Sequence, residues 1–265
     1  MNFFGSNRTV GVDIGTSNIK IVQLKKAGER FSLETYGIVN VAYETGLKEG
    51  LDVISETAEI LKKLVDKTKV STKKVVASLP NSIVFVSMIE IPEMSDKELK
   101  DSIQWEARRY VPLPLEEVTL SWSVYRELAP TTHKFKVLLT AVPTYVVENY
   151  LKTIKLDGLK LVALEIEALA LIRSLVGSKK DAVIIIDLGA RNTSLNVVDN
   201  GFLRLSRNLS VGGENITTSI AQGLKVSTER AEQFKKDLGL ADQLKDQIPR
   251  AIRSPMDTIK NETAQ

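Results

Sequence analysis

Two stretches of this chain repeat one pattern: an apolar run, an aspartate, an apolar residue, a glycine, a polar turn, and a second extended run. The first, residues 10–24, reads Val-Gly-Val-Asp-Ile-Gly-Thr-Ser-Asn-Ile-Lys-Ile-Val-Gln-Leu. The second, residues 183–198, reads Val-Ile-Ile-Ile-Asp-Leu-Gly-Ala-Arg-Asn-Thr-Ser-Leu-Asn-Val-Val, with Asp187 and Gly189 standing where Asp13 and Gly15 stand in the first. Apolar, β-branched runs suit buried strands, and a small-residue turn before a second run makes each stretch a hairpin. The separation is far too long for a solenoid period. The chain therefore reads as two similar halves.

The turns also carry chemistry. Gly15 lets backbone N–H groups approach an anion, Thr16 and Ser17 donate hydroxyls, and Lys20 supplies charge. Asp13 and Asp187 suit magnesium, directly or through water. In the second turn Gly189, Asn192 and Thr193 take the phosphate-facing positions, and Asn192 tolerates the left-handed backbone that glycine would supply. Arg191 reads as a solvated loop tip. One such turn alone is more often just a tight hairpin. Two of them, facing one another across a cleft, would aim at one nucleotide.

Composition excludes several classes. With 43% hydrophobic and 26% charged residues over 265, the chain is of ordinary globular composition and long enough for two domains. A formal charge of +3 is too small and dispersed to point to nucleic acid. The absence of cysteine removes disulfides and thiolate metal sites. The lone histidine, His133, sits in an expected hairpin loop and reads as solvated. No apolar run approaches the ~18 residues of a membrane span, and residues 1–8 lack the core of a signal peptide. The expected location is cytoplasmic.

After the first hairpin, a strand is expected over 31–41, an amphipathic helix over 47–66 and a short buried strand over 75–79. A block at 81–160 then has its own β-α-β-β-α order and reads as an inserted subdomain. Its strands are expected over 83–91, 118–128 and 134–141. Its first helix, 99–110, opens on a capping box of Ser95 and Glu98 and stops before Pro112; its second runs 144–154. A helix over 161–176 then returns to the first domain, and a polar hinge leads to the second repeat. Beyond it, Phe202–Leu209 reads as a strand, Gly212-Gly213 opens a helix, and Ser227-Thr228 caps another. Residues 248–265 read as broken by Pro249 and Pro255.

The paired turns resemble those of the actin, Hsp70 and hexokinase superfamily. The run Gln104-Trp105-Glu106-Ala107-Arg108-Arg109-Tyr110-Val111-Pro112-Leu113-Pro114 resembles the signature of the PilM family, the actin-like proteins of the type IV pilus assembly platform. Residues 212–239 resemble a pattern shared by PilM and the cell-division protein FtsA, in which a Glu and a Lys, here Glu232 and Lys235, lie near the adenosine ribose. The resemblance implies an α/β fold of the actin-like ATPase (duplicated ribonuclease H-like) type with an α+β subdomain inserted. Subdomain 1A would take 1–80 and 161–178, 1C 81–160, 2A 181–225 and 2B 226–265. Actin-like ATPases continue further, so the second domain is expected to be incomplete, with an exposed strand edge and weak or no nucleotide binding by these residues.

The implied function is that of a non-enzymatic scaffold binding ATP and magnesium through Asp13, Gly15, Thr16, Ser17, Lys20, Asp187, Gly189, Asn192, Thr193, Gly212, Gly213, Glu232 and Lys235. It would recruit the N-terminal cytoplasmic peptide of a PilN-like bitopic protein, which would hold it at the inner face of the membrane, and it could self-associate. An FtsA-like division protein is the alternative, and a small-molecule kinase a third reading that lacks a candidate base. Trp105 and Tyr110 are expected to be mainly packing residues.

Overall fold

The computed structural model describes residues 7–41, 51–125, 134–156, 158–177, 179–237 and 248–263. The chain divides into two compact units, Met1–Gly177 and Ser178–Gln265. The expected loop around His133 and the N-terminal aromatics lie outside the described residues.

In the first unit, β1 (Arg8–Ile14), β2 (Asn18–Ala27) and β3 (Arg30–Asn40) form an antiparallel meander. Helix α1 (Leu51–Thr68) then crosses to β4 (Lys74–Leu79), which pairs with β1 in parallel. After a 3-10 turn at Asn81–Ile83 come β5 (Phe85–Pro92), α2 (Asp96–Ala107), β6 (Val118–Tyr125) and β7 (Lys134–Pro143), whose strands form a separate sheet in the order β5-β7-β6. Helix α3 (Thr144–Leu156) leads to β8 (Lys160–Ile166), which completes a five-stranded sheet ordered β3-β2-β1-β4-β8. Helix α4 (Glu167–Leu171) continues into a π turn at Ile172–Val176.

Alternation explains which faces pack. Val10, Val12, Ile19, Ile21 and Val75 are buried on the face covered by α1, which contributes Leu61 and Leu64. Gly37 lets β3 close on α1: a Cβ there would stand 2.5 Å from Thr68 Cγ2. The smaller sheet buries Ile89, Ile91, Val137 and Leu139 beneath Leu99, Ile103 and Ala107 of α2. The Ser95 capping box is present: Ser95 Oγ accepts the Glu98 N–H at 3.3 Å, and Glu98 Oε2 accepts the Ser95 N–H at 2.9 Å.

In the second unit, β9 (Val183–Leu188), β10 (Thr193–Asp199) and β11 (Phe202–Leu209) form a three-stranded antiparallel sheet ordered β11-β10-β9, echoing β3-β2-β1. Helices α5 (Gly213–Leu224), α6 (Thr228–Asp237) and α7 (Ile248–Thr263) follow. Among the described residues β9 is an edge strand, and Ile184, Ile186 and Leu188 on it are about half exposed.

Three expectations are corrected. The helix expected over 161–176 is a strand to Ile166 and helical only beyond. Leu161–Leu164 is apolar at every position, which suits a strand paired in parallel as well as a buried helix, and the pairing with β4 decides. Helix α3, assigned to the inserted subdomain, packs Val146, Tyr150 and Ile154 into the core of the five-stranded sheet. The C-terminal segment is one helix despite its prolines. Pro249 falls in the first turn, where its missing N–H is not needed, and Pro255 is accommodated inside α7.

Candidate functional site

The carboxyl ends of the parallel strands β1, β4 and β8 converge, which is where open α/β sheets place their ligands. Asp13 sits there, about one-third exposed. It stands opposite Lys20 on β2 and Ser78 on β4, and both reach it: Lys20 Nζ lies 3.0 Å from Oδ2, and Ser78 Oγ donates to Oδ1 at 3.1 Å. Gly15, Thr16 and Ser17 form the turn between. Its closing bond runs from the Gly15 N–H to the Asn18 carbonyl at 3.0 Å, and the Ser17 carbonyl accepts the Val41 N–H at 3.0 Å.

Next to this turn lies a polar group that the sequence reading did not single out. Asn81 is buried just beyond β4; its Oδ1 accepts the Ala168 N–H at 3.1 Å, and its own N–H donates to Glu167 Oε2 at 3.2 Å. The phenol of Tyr150 is buried within reach of Asp13 and Glu167. Burial pushes its pKa far up, and the two negative charges push it the same way. Tyr150 therefore stays a neutral wall behind the site. The signal for Glu167 was hidden because β8 read as helix, so its place at a strand end could not be seen.

The second turn copies the first. Asp13, Gly15 and Asn18 recur as Asp187, Gly189 and Asn192, each displaced by 174 positions (187 − 13, 189 − 15, 192 − 18). The Gly189 N–H donates to the Asn192 carbonyl at 2.9 Å, the same closing bond. In both turns a Cβ on the glycine would stand 2.9 Å from the asparagine carbonyl oxygen, so close approach of backbone demands glycine. Asn18 is thus the counterpart of Asn192, and the repeat itself carried that signal.

Around the second turn the structure gathers most of the expected residues. Thr193 Oγ1 donates to the Val211 carbonyl at 2.6 Å. Gly213 and Glu214 at the start of α5 donate their N–H groups to the carbonyls of Gly189 and Ala190 at 2.9 and 2.8 Å. These amides of the helix terminus hold the turn and are not spare anion donors. Asn215 Oδ1 accepts the Gly212 N–H at 2.9 Å. Lys235 reaches from α6 to the Gly213 carbonyl at 3.0 Å and Thr217 Oγ1 at 2.8 Å, and pairs with Glu232 at 2.6 Å. Thr217 donates to Glu232 Oε2 at 2.5 Å. Arg191 lies 3.4 Å from Glu214, so the loop-tip arginine is tied back to α5.

Glu232 is subject to opposing effects. Burial raises its pKa, but the Lys235 and Thr217 hydrogen bonds, with the charges of Lys235 and Lys236, leave it below the ordinary 4.5. A carboxylate depressed in the folded state adds stability above its unfolded pKa, and that stability is lost as pH falls through the folded value. Acid unfolding followed through the α5–α6 pair should therefore show a loss setting in below about pH 4.5. Glu232→Gln should flatten that dependence, and an unaltered acid limb in this variant would contradict the pairing.

Each half thus pairs a β-hairpin with helices on an acidic, glycine-closed turn, the organisation that defines an actin-like ATPase fold. Solved structures agree on the fold. A structure described as a PilM-PilN type IV pilus biogenesis complex is matched with a TM-score of 0.83 at 24% identity, covering 96% of this chain and 75% of that one. MreB 5 of Spiroplasma citri bound to AMPPNP gives 0.52 at 13% identity, over 97% and 78%. Cell division protein FtsA of Bacillus subtilis (strain 168) is 29% identical over 262 residues, 88% of this chain and 58% of FtsA. This chain therefore spans little more than half the length of that relative. The family model for the type IV pilus assembly protein PilM matches residues 11–253, and the chain belongs to that family.

Proposed function

We propose that this chain is a nucleotide-binding scaffold of type IV pilus assembly. The observation that carries the reading is the duplicated turn: Asp-x-Gly closed on an asparagine carbonyl, twice, in a member of the PilM family. The nucleotide is an adenine nucleotide, a choice supported by the AMPPNP-bound MreB 5 of the same fold. The phosphate-facing residues are Gly15, Thr16, Ser17 and Lys20 in the first unit and Gly189, Asn192 and Thr193 in the second. Gly212, Gly213, Glu232 and Lys235 support the second turn and the nucleoside.

Magnesium suits the donor set in one particular way. Asp13 already carries an ammonium on one oxygen and a hydroxyl on the other, so a dication bound directly to Oδ2 would meet Lys20. The ion keeps most of its water readily. Asp13 would accordingly hold it through that water, and Asp187 is the corresponding carboxylate of the second unit. No described cluster of three or more His, Asp or Glu residues could cage a metal without the phosphates. Asp187→Ala is expected to weaken magnesium-nucleotide binding by about 1–3 kcal/mol, read by titrating a fluorescent ATP analogue with and without magnesium. Equal affinity in the variant would remove Asp187 from the site.

The scaffold's partner is the N-terminal peptide of a bitopic, PilN-like protein, a reading supported by the PilM-PilN complex of the same fold. The peptide is apolar and docks between the 10–80 region and the 83–160 insertion, where buried area repays its ordering. This attachment holds the chain at the inner face of the membrane; among the described residues no helix is long and apolar enough to cross one. Titration of this chain with a labelled N-terminal peptide of a PilN-like protein tests the reading. Saturable binding is expected, and absence of binding counts against the groove. The family model favours this function over that of an FtsA-like division protein.

A further inference from the structure

The Gln104–Pro114 motif does something that core packing does not explain. Its apolar anchors Ala107 and Val111 are buried, and Ile103 just before it is fully so, but Trp105 is 68% exposed and Tyr110 and Leu113 are 40% and 42% exposed. The expectation that Trp105 is a packing residue is therefore wrong: α2 presents it on the face opposite the sheet. The guanidinium of Arg108, one turn on, lies over the indole with 4.7 Å to its centroid. Among the described residues Arg108 has no carboxylate partner, whereas its neighbour Arg109 is tied to Glu106 at 3.4 Å.

We propose that Trp105, Arg108, Tyr110 and Leu113 form a docking surface for an apolar segment of a partner protein that carries one carboxylate. Stacking on the indole removes rotamer freedom from Arg108 in advance and leaves its planar fork of N–H donors for a carboxylate. The exposed rings and Leu113 offer apolar area to side chains flanking that carboxylate. Trp, Tyr and Arg are the residues that carry most binding energy at protein interfaces. The charges nearby favour a protein over a lipid surface. Asp101, one turn before Trp105, and Glu116 and Glu117 after Pro114 are exposed acids that would repel an anionic bilayer, but they leave Arg108 open to a single acid. This surface shares no residue with the nucleotide turns, and its partner differs from the apolar peptide in presenting a carboxylate.

The test uses the whole chain and labelled synthetic peptides carrying a single Glu flanked by Leu and Phe, read by fluorescence anisotropy without nucleotide. Binding should be saturable. Arg108→Gln and Trp105→Ala should each weaken it at least tenfold, which is feasible to read because both side chains are exposed and the fold does not depend on them. Peptides with Lys in place of Glu should not compete. Equal affinity in either variant, equal binding of the Lys peptides, no binding at all, or binding confined to anionic phosphatidylserine vesicles would each overturn the proposal.

Discussion

Replacing Ile103 by alanine is expected to destabilise the β5-β7-β6 region by about 3–4 kcal/mol, the usual cost of emptying a fully buried aliphatic site. Ile103 has no exposed surface and lies between α2 and the strands carrying Ile89, Ile91, Val137 and Leu139. Those strands are held in register by pairing along β7, so they cannot close in on the void. Trp122 on β6 packs against the same cluster and reports the loss locally. Its fluorescence in urea should show a midpoint well below that of the parent. A loss under about 1 kcal/mol would mean that α2 is not pressed onto this sheet.

A loss of about 3 kcal/mol is also expected of Gly212→Ala, through overpacking. The added Cβ would stand 2.5 Å from the Ala190 carbonyl oxygen, 2.6 Å from its carbon and 2.8 Å from the Arg191 carbonyl carbon. All three atoms are backbone, so no rotamer change relieves them. They belong to the second turn, which α5 grips through the Gly213 and Glu214 amides. Gly213→Ala is the control. There the nearest atoms are Lys235 Nζ at 3.5 Å and the Gly189 oxygen at 3.7 Å, which is ordinary contact. Urea unfolding should separate the neighbours clearly; similar midpoints for both variants would contradict the close approach at Gly212.

The clearest features of the sequence were those encoded locally. The Ser95–Glu98 box is a contact between neighbours in the chain, and it forms as spacing implies. Both hairpins follow from apolar, β-branched runs on either side of a glycine turn. Strand β8 was not legible, because a parallel strand apolar on both faces looks like a buried helix until its distant partner, β4, is known. That misreading also concealed Glu167 and its bond to Asn81, two residues 86 positions apart. Ser78 was missed although its strand was expected, because its contact with Asp13 spans 65 positions and depends on the β1–β4 pairing. Trp105 was misjudged because hydrophobicity suggests burial, while its helical phase, two residues from Ile103, turns it outward. Asn18 was within reach of sequence reasoning, since the repeat places it opposite Asn192.

The most direct measurement is a titration of the isotope-labelled chain with magnesium-ATP, followed residue by residue through its amide resonances, which registers weak binding as well as tight. The paired-turn site predicts shifts concentrated at Gly15–Asn18 and Gly189–Asn192, abolished by omitting magnesium and sharply reduced in Asp13→Asn. Shifts lying away from both turns, or shifts at the turns that persist unchanged without magnesium and in Asp13→Asn, would contradict it.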